Sequence, residues 1–193
     1  MPVTQDAEKA LLRRRLLEQR SRIPPAQKYF WENAIARHVL NLPEYRRAEL
    51  VLAYLAKPEE IDTAVIIAHA LLTGKRVAVP RCRPGERRMD FCPFADRREL
   101  TGSFYGIPEP PSQAPALAPK ELEGAFCVVP ALGASPSGHR VGYGGGYYDR
   151  FLAEFLGTSA ILTYGWSLLE SLCPGPLDVA AGIVVTPEAV LRP

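Results

Sequence analysis

The residues with the clearest chemical potential lie in segment 140–150, which reads RVGYGGGYYDR. It begins with the cation Arg140, contains four glycines within five residues, and ends near the carboxylate of Asp149. Glycine allows backbone N–H groups to converge on an anion with no Cβ in the way. Arginine neutralises phosphate oxygens, and a carboxylate can hold the magnesium that accompanies a nucleoside triphosphate. The segment therefore predicts a phosphate-binding turn, and the alternative is a tight turn without a ligand.

The elements on either side must position this turn. The apolar run 125–130 predicts a buried strand before it, and segment 147–156 has apolar residues at helical spacing. A helix that starts at the turn would add its positive N-terminal end. The segment lacks the Gly-Lys-Ser/Thr of a Walker loop and the spacing of the dinucleotide-binding fingerprint. It is thus a different kind of strand-turn-helix anion site.

The rest of the chain alternates between strand and helix patterns. Helices are predicted at 7–20, 25–41 and 62–72, strands at 50–56, 76–81, 89–94, 159–164 and 182–186, and a long loop at 102–120. In the first helix, Leu11, Leu12, Leu16 and Leu17 lie on one side, while Arg13, Arg14, Arg15 and Arg20 are spread around the rest. The alternation predicts an α/β fold, a three-layer sandwich around a mostly parallel open sheet with N-terminal helices. Its ligand would lie at the carboxyl ends of the strands.

Composition narrows the classes of partner. The 193 residues fit a single domain, 1–193, and the net charge of +2 favours neither nucleic acid nor an anionic membrane surface. No apolar run approaches the roughly 20 residues of a membrane span. The four cysteines lack a CxxC spacing and are expected to be buried thiols rather than metal ligands. We expect a cytoplasmic monomer that binds small molecules.

Several motifs occur together in one order. They are Lys9-x-x-x-Arg13, the sequence EEIDT at 59–63, GIPEP at 106–110, Val129-Pro130, and the glycine-rich segment with Phe151-Leu152 after it. In this pattern, which runs over nearly the whole chain, the protein resembles the 5-formyltetrahydrofolate cyclo-ligase family, also called methenyltetrahydrofolate synthetase. The resemblance implies an open α/β fold and closure of 5-formyltetrahydrofolate, a reduced folate, to 5,10-methenyltetrahydrofolate. ATP and Mg²⁺ would be required, and ADP and phosphate would be released.

The resemblance also implies roles for particular residues. Those expected to bind ATP are Lys9, Arg13, Arg140, Gly142, Gly144, Gly145, Gly146, Tyr147 and Tyr148. Those expected to bind the folate are Leu55, Glu60, Glu109, Tyr143 and Tyr147. Arg140, Tyr147 and Glu60 would be catalytic, and Asp149 and Asp178 would hold the metal.

Plainer alternatives stay open at some of these positions. Lys9 and Arg13 are one helical turn apart and could be solvated surface charges, and Glu60 could favour the start of a helix. Ser135, Leu168 and Leu177 depart from the family's usual aspartate, glutamine and histidine. The alternatives for function are a catalytically weak folate- or nucleotide-binding relative and an ATP-dependent enzyme acting on another small amide.

Overall fold

The computed structural model describes residues 5–83, 85–104, 106–170 and 172–193. Its helices are α1 (Gln5–Ser21), α2 (Pro25–Asn41), α3 (Pro43–Arg47), α4 (Ala64–Leu72) and α5 (Tyr147–Leu152). Its strands are β1 (Leu50–Leu52), β2 (Arg76–Arg83), β3 (Arg88–Pro93), β4 (Gly102–Phe104), β5 (Ile107–Glu109), β6 (Phe126–Val129), β7 (Gly133–Ala134), β8 (Arg140–Val141), β9 (Thr158–Leu162), β10 (Ile183–Val185) and β11 (Val190–Leu191). Within these ranges, no helix has both the length and the apolar character that a membrane crossing needs.

A seven-stranded sheet forms the centre, in the order β11-β10-β9-β6-β1-β2-β3. The five inner strands run parallel to one another, and only the edge strands β3 and β11 are antiparallel. Every residue of β1 and of β6 is buried, because strands covered on both faces are apolar throughout. The predicted α/β fold around a mostly parallel open sheet is confirmed.

Helices cover both faces of this sheet. Val51, Phe126 and Val128 belong to the apolar cluster beneath α2 and α4. The residues that alternate with them, Leu52 and Cys127, belong to the cluster that contains Leu152 of α5. Side chains of successive strand residues point to opposite faces, so each inner strand supplies both clusters. The result is the predicted three-layer arrangement.

The sheet has one switch point. From β1 the chain adds β2 on one side, and β6, β9 and β10 follow on the other. In open α/β sheets a crevice forms at the carboxyl ends of the strands where the order reverses. Here the crevice lies between the loops that follow β1 and β6.

Several predicted boundaries are wrong for local reasons. β1 ends at Leu52 because the carbonyl of Tyr54 accepts a hydrogen bond from the Thr63 hydroxyl instead of a strand partner. α4 begins at Ala64, whose N–H bonds the Asp62 carboxylate. α5 ends at Leu152, four residues before the predicted boundary, because the backbone hydrogen bonds that follow join residues three apart instead of four. Cysteine burial was predicted for all four residues; it is confirmed for Cys92 and Cys127, but Cys82 is only partly buried and Cys173 is exposed.

Other elements did not appear in the prediction. The segment 102–120 contains the antiparallel hairpin β4–β5 and the start of a 3₁₀ turn at Pro119–Leu122, with residue 105 outside the described ranges. The small hairpin β7–β8, the edge strand β11 and the short α3 were also missed. These elements have two to five residues each, too few for a periodic pattern to be visible in the sequence.

Candidate functional site

The glycine-rich turn connects β8 to α5 and has the backbone that its sequence requires. Gly144 and Gly146 have φ values of +97° and +69°, in the left-handed region that side chains disfavour. Arg13 of α1 lies across the turn, where its Nε donates to the carbonyl of Gly142 at 2.9 Å. A Cβ on Gly144 would stand 3.4 Å from the Arg13 guanidinium carbon. α5 has only six residues, so the anion-binding capacity depends on the turn's own N–H groups and on nearby cations.

Arg140 and Asp149 form an ion pair at the base of this turn. An Arg140 Nη donates to Asp149 Oδ1 at 2.8 Å, and the other Nη donates to the carbonyl of Val179 at 3.0 Å. The Arg140 side chain is 4% exposed, whereas that of Asp149 is 26% exposed. The pair therefore fixes the start of α5 to the segment before β10, with the carboxylate at the more open side.

Lys9 and Asp178 form a second ion pair beside the first. The Lys9 ammonium is 2.5 Å from Asp178 Oδ2, which also accepts the N–H of Gly175 at 2.8 Å. Burial raises the pKa of Asp178, but these two hydrogen bonds and the Lys9 charge outweigh it and hold the pKa below its ordinary value. The Arg140 charge also acts on Asp178, so the two pairs share one electrostatic environment.

Glu60 lies on the other side of the turn, in the loop after β1. Burial and the nearby Glu60 charge raise the pKa of the Tyr143 hydroxyl. Glu60 itself is 6% exposed, and its carboxylate accepts the N–H of Lys57 at 2.8 Å. Burial raises its pKa, against lowering by the Lys57 hydrogen bond and by the charges of Lys57 and Arg20. The Lys57 ammonium lies 5.5 Å from the centre of the Tyr143 ring. Tyr143 thus joins the glycine-rich turn to the carboxyl end of β1.

The β4–β5 hairpin contributes two further contacts. Phe104 packs edge-on against the ring of Tyr147, with 6.2 Å between ring centres. Glu109 accepts the N–H of Cys82 at 3.0 Å, and burial together with the Glu109 charge raises the pKa of that thiol to about 12. The hairpin is therefore fastened to the end of β2 and reaches the start of α5.

Tyr148 differs from its neighbour. Its hydroxyl is buried and has no hydrogen-bond partner among the described residues. Burial raises its pKa well above the ordinary value, and the charges of Glu60 and Arg140 also act on it. Buried polar groups normally have a partner, so this hydroxyl is a position that a ligand atom or an ordered water would satisfy.

The structure does not place Leu55 with the others. Its side chain lines a cavity of about 310 Å³ between α4 and the segment after β3. Of the residues the structure describes, none of the other predicted site residues lines this cavity. Leu55 comes just before the loop from Lys57 to Glu60, so it is close to the site in the sequence.

The side chains of the three departures from the family pattern differ in their surroundings. Ser135 is fully buried, with its hydroxyl 2.8 Å from that of Ser137. Leu168 packs against the cluster under α5, and Leu177 is 76% exposed. In the part of the chain described, none of these side chains forms a hydrogen bond or an ion pair with Lys9, Arg13, Arg140 or Asp149.

The donor set at the turn suits a magnesium ion that arrives on a nucleotide. The described residues contain no cluster of three or more His, Cys, Asp or Glu that could hold a metal. Magnesium, however, is usually held by one or two carboxylates, with phosphates and waters as the remaining ligands. Asp149 and Asp178 supply two carboxylates on adjoining segments, since Val179 N–H also bonds Asp149. They fit an ion carried by phosphate better than a resident metal.

Sequence reasoning missed one residue that is central to the arrangement. Arg20 was placed among the cations on the polar side of α1, but it is 6% exposed and donates to three backbone carbonyls. The spacing of Lys9, Arg13, Leu16 and Arg20 was the available signal, because steps of four, three and four residues follow one face of a helix.

Comparison with known proteins connects this geometry to a family. The 5-formyltetrahydrofolate cyclo-ligase family model matches residues 5–187. The 5-formyltetrahydrofolate cyclo-ligase of Mycolicibacterium smegmatis is 29% identical over 188 residues, covering 93% of this chain and 94% of that protein. That of Haemophilus influenzae is 28% identical over 165 residues, covering 83% and 87%.

A solved structure shows the same fold. The NMR structure of 5,10-methenyltetrahydrofolate synthetase from Aquifex aeolicus superposes with a TM-score of 0.80, at 23% identity, covering 95% of this chain and 92% of that one. At this identity the superposition supports the fold alone, and the sequence match carries the relationship. With the family model spanning nearly the whole chain, this protein belongs to the 5-formyltetrahydrofolate cyclo-ligase family, a family of ligases.

Proposed function

We propose that this protein uses MgATP to convert 5-formyltetrahydrofolate to 5,10-methenyltetrahydrofolate, releasing ADP and phosphate. One observation carries the proposal beyond family membership. Tyr143 lies in the glycine-rich turn, beneath which Arg140 and Asp149 are paired. Its ring centre is 5.5 Å from the Lys57 ammonium, and burial together with the charge of the buried Glu60 carboxylate raises the pKa of its hydroxyl. The turn suits a triphosphate, and a buried carboxylate suits the N–H groups of a pterin. A single residue therefore links the two halves that the reaction must bring together.

The first step would be transfer of the γ-phosphoryl group. The formyl oxygen forms a bond to the γ-phosphorus while the bond from that phosphorus to the bridging oxygen of ADP breaks. The product is an imidate-like phosphate on the folate. Such transfers need positioning and charge neutralisation more than covalent help from the protein. Lys9, Arg13 and Arg140 would neutralise the phosphates, and the N–H groups of Gly142, Gly144, Gly145 and Gly146 would orient them.

The second step would close the ring. The neighbouring folate nitrogen attacks the activated formyl carbon, the carbon–oxygen bond breaks, and phosphate leaves with the oxygen that belonged to the formyl group. The nitrogen gives up its proton as the ring closes. Glu60 and Tyr143 would hold the pterin in place, with Tyr147 and Tyr148 close to the reacting groups. Enclosing the site matters because water would compete for the activated carbon.

The two ion pairs suggest how MgATP is received. Lys9 and Arg140, the proposed phosphate ligands, are paired with Asp178 and Asp149, the proposed magnesium ligands. Binding of MgATP would exchange these partners, with phosphate oxygens replacing carboxylates on the cations and magnesium replacing the cations on the carboxylates. Each cation and each carboxylate would keep an oppositely charged partner throughout, which lowers the cost of binding so many charges in a partly buried site.

Two assignments have weaker support. Glu109 already bonds the backbone of β2, so it would meet the folate only through the other lone pairs of its carboxylate. Leu55 would contribute through the loop that it begins. We keep the single domain, the cytoplasmic location and the monomeric state as parts of the proposal.

A coupled assay tests the function. Purified protein would be mixed with 5-formyltetrahydrofolate, magnesium and ATP, and methenyl-folate absorbance and ADP would be followed in one sample. Equal amounts of both products are expected, and Asp149→Ala should abolish turnover. ADP without the methenyl product would identify an enzyme acting on a different acceptor. Neither product, with measurable nucleotide binding, would identify a binding relative.

A further inference from the structure

Among the described residues, the polar contacts that side chains of α1 make with the rest of the protein lie on one face of the helix. Lys9 pairs with Asp178, Arg13 bonds Gly142, Leu16 is 2% exposed, and Arg20 lies at the end of the same stripe. Lys9 and Arg20 are about 16 Å apart along the helix axis. A rotation or a slide of α1 would therefore move the two proposed nucleotide contacts together.

The apolar anchor of this helix is small. The cluster that includes α1 has three buried members, Leu16, Leu132 and Val141, with Leu12 and Leu17 partly buried at its margin. A contact of this size holds a helix against the protein but leaves rotation and sliding weakly resisted, because apolar contacts have little directional preference. A directional contact is needed to fix the register.

Arg20 makes that contact at the switch point. One Nη donates to the carbonyl of Glu59 after β1 at 3.1 Å, and the other donates to the carbonyls of Ala131 and Leu132 after β6, the latter at 3.0 Å. The guanidinium carbon lies 5.3 Å from the centre of the Tyr164 ring, beyond the end of β9. A planar fork with donors in fixed directions can satisfy such an arrangement, and a lysine cannot reproduce it.

Because the Arg20 side chain is buried, its charge depends on these particular hydrogen-bond partners. Arginine stays protonated in proteins, so its charge must be compensated wherever it is buried. Three carbonyl oxygens from the loops after β1 and β6 do so here, and the Glu60 carboxylate adds an opposite charge nearby. Arg20 Nε remains without a partner among the described residues. The loops after β1 and β6 and the ring of Tyr164 therefore hold the Arg20 side chain in place. Through these contacts Arg20 connects α1 to the loop that contains Glu60.

We propose that Arg20 is a positioning residue that fixes the register of α1, and through it the places of Lys9 and Arg13 relative to the glycine-rich turn and to Glu60. The inference rests on the proposed function for the role of Lys9 and Arg13 as ATP ligands. The anchoring of α1 by Arg20 does not depend on that function. A displacement of about 1 Å at a reacting group can reduce turnover about a hundredfold, which is why a remote anchor matters.

The test compares Arg20→Met, which keeps the alkyl stem and loses the fork, with Arg20→Lys and with the control Arg22→Met. Arg22 follows directly after α1, its side chain is 73% exposed, and among the described residues it forms an ion pair only with Glu18 of α1. Hydrogen exchange would be measured for the amides of residues 9–17 and of β1 and β6, and MgATP binding would be measured by calorimetry. Turnover would be analysed as separate kcat and KM values.

For Arg20→Met we expect faster exchange in α1 than in β1 and β6, and an increase in the KM for MgATP of at least about tenfold. Arg20→Lys should give an intermediate result, and Arg22→Met should match the original protein. Uniformly faster exchange in α1, β1 and β6 with an unchanged KM for MgATP would show that Arg20 only adds stability, and would overturn the proposal. Should Arg20→Met fail to fold, the same two outcomes are read from Arg20→Lys.

The failure of this inference can be separated from failure of the proposed function. An original protein that binds no MgATP would contradict the proposed function, yet hydrogen exchange would still decide whether Arg20 anchors α1. Normal exchange in α1 of Arg20→Met, together with normal MgATP binding, would contradict the anchoring and leave the proposed function intact.

Discussion

Lys9 and Asp178 are 169 residues apart in the chain, yet the ammonium of one lies 2.5 Å from the carboxylate of the other. Their pairing brings the first turns of α1 to the segment before β10, next to the Arg140–Asp149 pair. Cations suited to phosphate and carboxylates suited to magnesium are thus held together before any ligand is bound. The following predictions depend on this arrangement and on the loops that surround it.

Replacing Asp178 by Asn should affect ATP and MgATP in opposite directions. Without its partner, Lys9 is free for phosphate, so ATP in the presence of EDTA should bind about fivefold more tightly, equivalent to about 1 kcal/mol for a pair whose side chains are 21% and 25% exposed. MgATP should bind more weakly, because a magnesium ligand has been lost. Calorimetric titration with and without magnesium measures both. The exposed carboxylate Glu18→Gln serves as the control, and weaker binding of metal-free ATP to Asp178→Asn would refute the exchange of partners.

Replacing Arg140 by Met should destabilise the fold. Asp149 would keep a partly buried charge without its cation, and the carbonyl of Val179 would lose its donor. We expect a loss of about 3 kcal/mol in the free energy of unfolding, at the lower end for a broken buried pair since Asp149 remains in contact with solvent. Urea unfolding of Arg140→Met and of Arg140→Met/Asp149→Asn would measure it. A double variant no more stable than the single one would show that the unpaired carboxylate is not the cause.

Glycines of the turn should differ in their tolerance of alanine. Gly144→Ala should cost about 1 kcal/mol or more, because its φ of +97° strains any side chain and the new Cβ would approach Arg13. Gly142→Ala should cost much less, since its φ is ordinary and a Cβ there meets nothing within 4 Å. Thermal unfolding of the pair measures the difference. Equal losses in the two variants would mean that left-handed backbone is not what the turn requires.

Glu60 should give an unusual pH dependence of stability. Burial raises its pKa above the ordinary 4.5, so the folded protein binds this proton more tightly than the unfolded chain. Its contribution to stability is therefore most favourable at low pH and is lost as the pH rises from 4.5 through the folded pKa. Glu60→Gln stays neutral and should gain stability relative to the original protein over that interval. A stability difference that does not change with pH would contradict this, and Glu60→Gln should bind folate poorly.

The sequence predicted the fold because its signals were long, and it indicated candidate site residues because their types are chemically distinctive. Buried parallel strands are apolar throughout, as in β6, and four glycines within five residues have few uses other than close approach of a backbone to a ligand. The small hairpins were beyond reach, since two or three residues cannot show a period. Arg20 was missed because an arginine on an amphipathic helix is normally solvated, and its burial depends on carbonyls from two distant loops.

The ion pairs within the site could not be predicted either. Spacing in the sequence indicated cations and carboxylates but not that they would neutralise one another, which depends on how α1 meets the segment before β10. The position of Leu55 could not be predicted either, because it lies beyond the end of β1, where the alternation of side chains between the two faces of the sheet no longer applies. It lines the cavity beside α4.

The most direct measurement of the central claim follows the oxygen of the formyl group. 5-Formyltetrahydrofolate labelled with ¹⁸O in that group would be converted with MgATP, and the phosphate released would be analysed by mass spectrometry. If the γ-phosphoryl group is transferred to the formyl oxygen, each phosphate formed with a methenyl product carries one ¹⁸O atom. Unlabelled phosphate, with the label released into water, would show that ATP hydrolysis and ring closure do not share an intermediate and would contradict the account.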